Sequence, residues 1–193
     1  VYNAIVWQDR RSAHFADSLK VQSGDLIYKK TGIMPDSYFS ALKIKWVIDN
    51  VPKAQELMKS GRLLAGNMDA WIIWNMTKGR IYATDASTAS RTMLYNLSTS
   101  SWDKEILALL GMDQITLPAI HDSAGVLGNS DPDAFINIKA PISGLLADQQ
   151  AALLGQACID PGMVKTTYGT GCFMLMNTGE KQISSQSGIL TTI

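Results

Sequence analysis

The sequence predicts an α/β fold, in which short apolar strands alternate with amphipathic helices. The clearest unit is PISGLLADQQAALLGQAC, where Pro141 to Ala147 is an apolar run that begins at a proline and predicts a strand. Gln149 to Cys158 follows with apolar residues at helical spacing. A second amphipathic helix, Ser40 to Asn50, and a hairpin near the end of the chain complete the pattern.

The composition is that of an ordinary globular chain. The 193 residues are 46% hydrophobic and 18% charged, which suffices for one domain or one domain with part of another. The net charge is zero, so nothing indicates a nucleic-acid or membrane-surface partner. No apolar run approaches the ~20 residues that span a bilayer, and the first residues lack a signal-peptide layout. We therefore expect a cytoplasmic protein.

The first half of the chain is predicted to be mostly helical. Proline disfavours a helical conformation in the residue before it, so Pro52 separates two helices and begins the second. Trp71 and Trp74 lie three residues apart and are predicted to pack in the core. The predicted elements are a strand at Val1 to Gln8 and helices at Ser12 to Gln22 (ended by Ser23 and Gly24), Ser40 to Asn50, Lys53 to Lys59 and Ala70 to Met76.

The second half is predicted to contain more strands and turns. Asp160-Pro161-Gly162 is the one candidate domain seam, because it is a turn signal that directly follows a predicted helix. Val164 to Tyr168 and Cys172 to Met176 flank a tight glycine turn and predict a β-hairpin. The remaining predictions are loop and short strand at Ile81 to Thr92, a helix at Asp103 to Leu110 capped by Ser101, and a strand at Gly125 to Leu127.

The cysteines, histidines and basic pairs are predicted to have no chemical role. Cys158 and Cys172 are fourteen residues apart without a CxxC motif, so we expect two buried thiols and no zinc site. His14 and His121 have no neighbours at metal-ligand spacing and are predicted to lie on the surface. The basic segment Lys43-Ile44-Lys45 is predicted to be solvated. No metal-ligating residues are predicted.

Asp148 is the first candidate for chemistry. It falls between the predicted strand and helix, and in open α/β sheets the carboxyl ends of strands are where ligands bind. A carboxylate there can accept a proton from a substrate hydroxyl. Aspartate is also a preferred helix N-cap residue, and the two roles are compatible.

The turn Gly169-Thr170-Gly171 is the second candidate. Glycines allow the backbone to approach a ligand closely and to direct N–H groups at a phosphate. The alternative is a hairpin turn without a ligand, because a lone GxG is weak evidence.

Five strings in the chain together resemble glycerol kinases of the FGGY carbohydrate-kinase family. WQDRR and YFS resemble the glycerol branch more than xylulose or gluconate kinases. The strings are NAIVWQDRR from Asn3, YFSALKIKW from Tyr38, SRTML from Ser90, ADQQAAL from Ala147 and YGTGCFMLMNTGE from Tyr168.

This resemblance implies a fold and a reaction. The fold would be a pair of actin-like, ribonuclease-H-like α/β domains that close over a cleft. Residues 1–160 would be part of the N-terminal substrate domain, and residues 161–193 the start of the C-terminal nucleotide domain. The reaction would be ATP-dependent phosphorylation of glycerol to sn-glycerol 3-phosphate with Mg²⁺. The complete enzyme would be a homo-oligomer, either a dimer or a tetramer.

The resemblance also assigns roles to individual residues. It implies that Asp148 is the catalytic base and that Gln149 and Tyr38 bind substrate hydroxyls. Trp7 and Phe173 would form apolar walls beside glycerol. The nucleotide phosphates would be held at the glycine turn, by Gly169, Thr170 and Gly171.

The resemblance finally implies that other parts of such an enzyme lie outside this chain. The N-terminal phosphate loop, an Arg-Glu pair that binds glycerol and the adenine pocket have no counterpart here. We therefore expect the 193-residue chain alone to be inactive. Two alternatives remain, namely a kinase of the same fold for another polyol or sugar, and a non-catalytic actin-like module used for interaction.

Overall fold

A computed structural model describes all of residues 1–193 and alternates helices with short strands, as the sequence predicts. None of its helices is both long enough and apolar enough to cross a bilayer. The seven helices are α1 Ala13–Thr31, α2 Ser40–Asn50, α3 Pro52–Lys59, α4 Met68–Met76, α5 Ala86–Ala89, α6 Lys104–Leu109 and α7 Asp148–Gly155. The eight strands are β1 Ala83–Asp85, β2 Tyr95–Asn96, β3 Ser101–Trp102, β4 Ala119–His121, β5 Ala124–Asn129, β6 Pro141–Gly144, β7 Val164–Tyr168 and β8 Cys172–Met176.

The strands form four two-stranded sheets. Strands β1 and β4 are parallel, in a register that places Asp85 opposite His121. The other three pairs, β2 with β3, β5 with β6 and β7 with β8, are antiparallel. The β7–β8 hairpin has the bounds that the sequence predicts, and it runs in register from Val164 opposite Met176 to Tyr168 opposite Cys172.

The main hydrophobic cluster lies between the first two helices, α6 and the segment around residues 93–94. Its completely buried members include Ile27 in α1, Leu42 in α2 and Ile106 in α6. Burial of each such side chain stabilises the fold by about 1.5–3 kcal/mol. The thirteen buried members are Ala16, Leu19, Ile27, Ile33, Phe39, Ala41, Leu42, Ile48, Met93, Leu94, Ile106, Leu110 and Met112.

The first helix is longer than the sequence predicts. The predicted end at Ser23 and Gly24 is wrong, because the buried stripe of α1 continues through Gly24 and Ile27. The helix instead ends at Gly32, which has φ +70° and whose N–H donates to the Tyr28 carbonyl at 2.8 Å. A left-handed glycine is the usual helix terminator.

The predicted strand at Val1 to Gln8 is wrong. This segment has no strand beside it, and an unpaired extended segment cannot form a ladder. Its apolar side chains are consequently open to solvent on at least one side, with Val6 58% and Trp7 42% exposed.

Helix α2 has the predicted bounds, and Pro52 begins α3 as predicted. Helix α4 begins at Met68, two residues before the predicted start. The predicted core role of Trp71 is wrong, since 44% of its surface is exposed. Trp74 does pack internally, with its ring edge-to-face against Tyr82 at 5.7 Å between centroids.

The segment from Ile81 to Thr92 is more ordered than the predicted loop and short strand. It forms β1 and the short helix α5, because Asp85 caps that helix by accepting from the Ser87 and Thr88 N–H groups. Asp103, and not Ser101, caps α6, where it accepts from the Ile106 N–H.

Three other predicted boundaries differ from those in the structure. Strand β5 extends beyond the predicted Gly125 to Leu127 at both ends. Strand β6 ends at Gly144, short of the predicted Ala147, because the next three residues have no strand partner. Helix α7 starts one residue early and ends at Gly155, short of the predicted Cys158.

The cysteine and lysine predictions are partly wrong. The predicted burial is wrong for both thiols, since Cys158 is half-buried and Cys172 is exposed. Lys43 is buried, since its Nζ turns inward to donate to the Asp9 carbonyl at 2.9 Å, and burial lowers its pKa. His14 and His121 are exposed, as predicted.

The last residues of the chain pack against the end of α1. The Thr191 N–H donates to the Gly32 carbonyl at 3.0 Å, and the Tyr28 hydroxyl donates to the Ser185 carbonyl at 2.9 Å. A Cβ atom at residue 32 would lie 2.5 Å from the Thr191 carbonyl oxygen. Glycine is therefore required at residue 32 both for its positive φ and for this close approach.

We expect Gly32→Ala to lower the free energy of unfolding more than Gly61→Ala. Both glycines have positive φ, but a Cβ at Gly61 meets nothing within 4 Å. Gly61→Ala therefore measures only the cost of holding alanine at a positive φ, which is about 1 kcal/mol. Urea unfolding of the purified chain should show an additional loss of about 1–3 kcal/mol for Gly32→Ala. Equal losses would contradict the packing described here.

Candidate active site

A surface pocket of about 310 Å³ is lined by three of the eight site residues that the sequence predicts, namely Trp7, Tyr38 and Asp148. Its walls come from the N-terminal segment, the start of α2, the start of α4, α5 and the start of α7. The lining residues are Trp7, Tyr38, Ser40, Asn67, Met68, Asp69, Thr88, Arg91, Leu146, Ala147 and Asp148.

Two aromatic side chains that line the pocket, Trp7 and Tyr38, form a cluster with a third, Phe173, which is not a lining residue. The Trp7 ring lies 5.6 Å from the Tyr38 ring and 6.1 Å from the Phe173 ring, measured between centroids. Gly171 is close to the same cluster, because a Cβ there would lie 2.8 Å from the Phe173 ring. The tip of the β7–β8 hairpin thus packs on Trp7 through Phe173.

Asp148 is the first residue of α7, is exposed and lines the pocket. The N-cap position is Ala147, which makes no side-chain cap bond, so the N-cap alternative for Asp148 is wrong. Oδ1 of Asp148 accepts from the Gln149 N–H at 2.8 Å, and Oδ2 accepts from Gln149 Nε2 at 3.1 Å. A carboxylate in the first turn is stabilised by the helix dipole.

A buried polar network holds the backbone just before Asp148. The Ala147 N–H donates to the Ser87 Oγ at 2.8 Å, and the Ser87 hydroxyl donates to Asp85 Oδ2 at 2.5 Å. The Ser123 hydroxyl donates to the same Asp85 oxygen at 2.7 Å, while the Ser123 carbonyl accepts from the Leu145 N–H at 2.9 Å. Two residues of the segment that leads into α7 are therefore bonded to this network.

The Asp85 carboxylate is completely buried and remains charged because its donors outweigh desolvation. Burial acts to raise the pKa of Asp85, whereas hydrogen bonds from Ser87, Ser123 and Thr88 lower it, and the net pKa is below its usual value. Asp85 is not among the residues predicted from the sequence. The available signal was the string Asp85-Ala-Ser87-Thr88, which is typical of a capped helix start.

Two further charged residues line the pocket with unused hydrogen-bonding capacity. The Arg91 guanidinium lies 5.7 Å from the Tyr38 ring centroid and takes part in none of the ion pairs of the chain. Asp69 Oδ2 accepts from the Thr84 hydroxyl at 2.5 Å, while its buried Oδ1 has no partner. Burial raises the pKa of Asp69.

The glycine turn lies beside the pocket and contributes no lining residue. Gly169 and Thr170 are exposed, and the Gly169 N–H donates to the Gly171 carbonyl at 3.0 Å. None of the three turn residues has a positive φ. Close approach to the Phe173 ring, and not a left-handed backbone, is what requires glycine at residue 171.

The structure thus brings Trp7, Tyr38 and Asp148 into one pocket, with Phe173 against Trp7 and Gln149 bonded to Asp148. No group of three or more His, Cys, Asp or Glu side chains gathers closely enough to hold a metal ion. The arrangement presents one exposed carboxylate in a pocket with two aromatic lining residues, with polar groups at hand for a small hydroxylated ligand.

Comparison with known proteins identifies the family. A family model described as the N-terminal domain of the FGGY family of carbohydrate kinases matches residues 1–155. The chain belongs to the FGGY family of carbohydrate kinases. This FGGY chain is 53% identical over 194 aligned residues to a glycerol kinase of Chromobacterium violaceum and 55% identical to one of Clostridium botulinum. Each alignment covers 100% of the chain and 39% of the relative, so the chain spans about two fifths of the length of these relatives.

Solved structures agree with the family assignment. The chain superimposes on the crystal structure of Plasmodium falciparum glycerol kinase with ADP at a TM-score of 0.92 and 39% identity, over 100% of the chain and 38% of that protein. A ligand-bound xylulose kinase from Lactobacillus acidophilus matches at a TM-score of 0.76 and 22% identity, over 90% of the chain and 35% of that protein. At this identity the xylulose kinase match supports the fold and carries no information on the substrate of this chain. The actin-like fold predicted from the sequence is therefore confirmed for this part of an FGGY kinase.

We expect Asp85→Asn to destabilise the FGGY chain in a pH-dependent way. The pKa of Asp85 is lower in the folded state than its ordinary 3.8. Its stabilising contribution is therefore fully present above about pH 4 and is lost as the pH falls through the folded pKa. Urea unfolding at pH 7 should show a loss of about 1–3 kcal/mol.

Unfolding measured at several pH values, together with one control variant, tests this explanation. The difference between wild type and Asp85→Asn should shrink as the pH is lowered below 3.8. Asp122→Asn, which changes an exposed carboxylate next to Ser123, should leave stability within about 0.5 kcal/mol of wild type. A loss for Asp85→Asn that is small at pH 7, or unchanged in acid, would contradict the network.

Proposed function

We propose that this chain is part of a glycerol kinase, which catalyses ATP-dependent phosphorylation of glycerol to sn-glycerol 3-phosphate. The observation that carries the proposal is the single pocket that Asp148, Trp7 and Tyr38 line together. Its support comes from relatives named glycerol kinase at 51–55% identity across the whole chain.

In this proposal Asp148 is the general base. Phosphoryl transfer requires alignment of the attacking hydroxyl, stabilisation of charge and a residue that accepts the hydroxyl proton. Asp148 is exposed in the pocket, and its only hydrogen bonds are with its neighbour Gln149. Each carboxylate oxygen therefore retains acceptor capacity for the proton of a terminal hydroxyl.

The other proposed contacts divide between apolar and polar faces of glycerol. Trp7 and Phe173 would lie along the carbon atoms, and Tyr38 and Gln149 would bind hydroxyls. A site with polar groups matched to hydroxyls discriminates strongly against analogues that lack them. The Arg91 guanidinium, which takes part in no ion pair, is one such group in the pocket.

The nucleotide would approach from the side of the hairpin. Gly169, Thr170 and Gly171 are proposed to contact the ATP phosphates, and the solved Plasmodium falciparum relative was crystallised with ADP. Because Phe173 packs on Trp7, the turn is tethered beside the acceptor pocket. Thr170 is exposed there and available to a ligand.

Magnesium is proposed to enter with the nucleotide, whose phosphates it ordinarily coordinates. It would neutralise charge on the phosphoryl group. The side chains of this chain assemble no metal site, so no residue here is assigned as its ligand.

We propose that the seam at residues 160–162 separates the substrate domain, 1–160, from the start of the nucleotide domain, 161–193. Residues that this chain lacks would come from the remaining three fifths of the length of such an enzyme. The dimeric or tetrameric state and the cytoplasmic location of the complete enzyme stay predictions.

The purified 193-residue chain should form no measurable glycerol 3-phosphate from glycerol and ATP. The reason is that catalysis requires both substrates to be aligned, and most of a nucleotide site is absent here. A coupled assay with excess chain, with a full-length glycerol kinase as positive control, measures this. ATP-dependent product from the chain alone would contradict the domain assignment.

In the full-length kinase that contains these residues, Asp148→Asn should lower kcat by about 100-fold to 10,000-fold, since it removes the general base. Asp160→Asn, another exposed carboxylate, is the matched control and should stay within about twofold of wild type. Steady-state assays with glycerol and with xylulose also test the substrate. Faster turnover of xylulose would favour the alternative sugar kinase, an unchanged kcat for Asp148→Asn would contradict the general-base role of Asp148, and absence of turnover by the wild type would favour a non-catalytic module.

A further inference from the structure

Lys165 is the only lysine of the β7–β8 hairpin, and it turns away from solvent. It is the second residue of β7 and is only 2% exposed. Its Nζ donates to the side-chain carbonyl Oε1 of Gln149 and to the Thr167 hydroxyl oxygen, the latter at 2.9 Å. It has no carboxylate partner among the ion pairs of the chain.

The bond from Lys165 determines which way the Gln149 amide faces. An amide has an acceptor oxygen on one side and a donor nitrogen on the other. Because Oε1 accepts from Lys165, Nε2 must point the other way, and it donates to Asp148 Oδ2 at 3.1 Å. Reversal of the amide would place two donors together at Lys165 and two acceptors together at Asp148.

We propose that Lys165 is a positioning residue of the acceptor site, which acts through Gln149 to hold the Asp148 carboxylate. The proposal rests on the proposed glycerol kinase function. Lys165 orients the amide, and one Nε2 hydrogen fixes Oδ2 of Asp148. The second Nε2 hydrogen is left to donate to a substrate hydroxyl. Oδ1, which accepts only from the Gln149 N–H, faces the proton to be transferred.

Burial of Lys165 supports a role of this kind. A buried amino group loses its hydration, and two neutral acceptors compensate for that loss less well than a carboxylate does. An apolar side chain of the same length would avoid this cost. The presence of a buried lysine is therefore explained by the groups that its hydrogen bonds orient. One of those groups is the Gln149 amide, next in the chain to the proposed base Asp148.

The bond also crosses the proposed domain seam. Gln149 belongs to α7, before residues 160–162, and Lys165 belongs to the strand after them. The orientation of the carboxylate is thus linked to the seating of the hairpin that carries the proposed phosphate turn. Separation of hairpin and helix would release Gln149 and leave Asp148 without its side-chain donor.

A double-mutant cycle in the full-length kinase tests the proposal. Lys165→Met and Gln149→Ala should each lower kcat/KM for glycerol by about tenfold or more, because a misplaced catalytic group loses rate steeply. The double variant should fall no more than about twofold below Gln149→Ala alone, because Lys165 acts only through Gln149. The KM for ATP should stay within about twofold of wild type. Lys181→Met, an exposed lysine of the same segment, is the matched control and should be unchanged.

Other outcomes overturn the proposal. If Lys165→Met keeps kcat/KM within about twofold of wild type, or if the two losses multiply, then Lys165 does not act through Gln149. If Lys165→Met does not fold, the test is made with Lys165→Arg, because arginine retains a hydrogen-bond donor for the Gln149 side-chain carbonyl. A folded arginine variant should recover most of the rate, and one that is tenfold slower or worse contradicts the proposal. The same assays also measure the wild-type kinase. Absence of wild-type activity on glycerol would refute the proposed function and not the role of Lys165 alone.

Discussion

The geometry of the site depends on the buried carboxylate of Asp85. It is completely removed from solvent and accepts from two serine hydroxyls and two backbone N–H groups. A buried charge is tolerated only when it is satisfied in this way. The parallel register of β1 and β4 places Asp85 opposite His121. Ser123 follows His121 by two residues, which explains how the Ser123 hydroxyl reaches the Asp85 carboxylate. Through Ser87 and Ser123 the same carboxylate fixes the backbone that leads to Asp148.

Asp148 is therefore constrained from two directions by different kinds of contact. On one side the buried network holds main-chain atoms of Leu145 and Ala147. On the other side Lys165 and Gln149 hold the side chain. The pocket is also lined by Trp7, Tyr38 and Arg91, and the Arg91 guanidinium takes part in no ion pair. Rigid support of this kind is what the general-base role proposed for Asp148 would require.

The sequence predicted the α/β class, helix α2 and the β7–β8 hairpin, because each has a regular apolar period with clear turn or proline boundaries. It failed at Val1 to Gln8, where the apolar pattern is present but no neighbouring strand completes a ladder. It also ended α1 at Gly24, since local rules cannot reveal that this glycine packs against Met34 and that the buried stripe continues. Tertiary contacts decided both cases.

Only part of the candidate site was predicted from the sequence, for the same reason. Trp7, Tyr38 and Asp148 were found through their resemblance to a family, and they do lie in one pocket. Asp85 and Lys165 were missed, because their importance arises from bonds to residues that are distant in the chain. Nothing in the local string around Lys165 distinguishes a buried lysine from a solvated one.

The contact between Thr191 and Gly32 has a consequence for the order of folding. The glycine that ends α1 packs against a residue that is made about 160 positions later. The Tyr28 hydroxyl likewise finds its carbonyl partner only once Ser185 has been made. Contacts of such long sequence separation slow folding. The C-terminal end of α1 therefore cannot make these two contacts until the chain up to Thr191 has been synthesised.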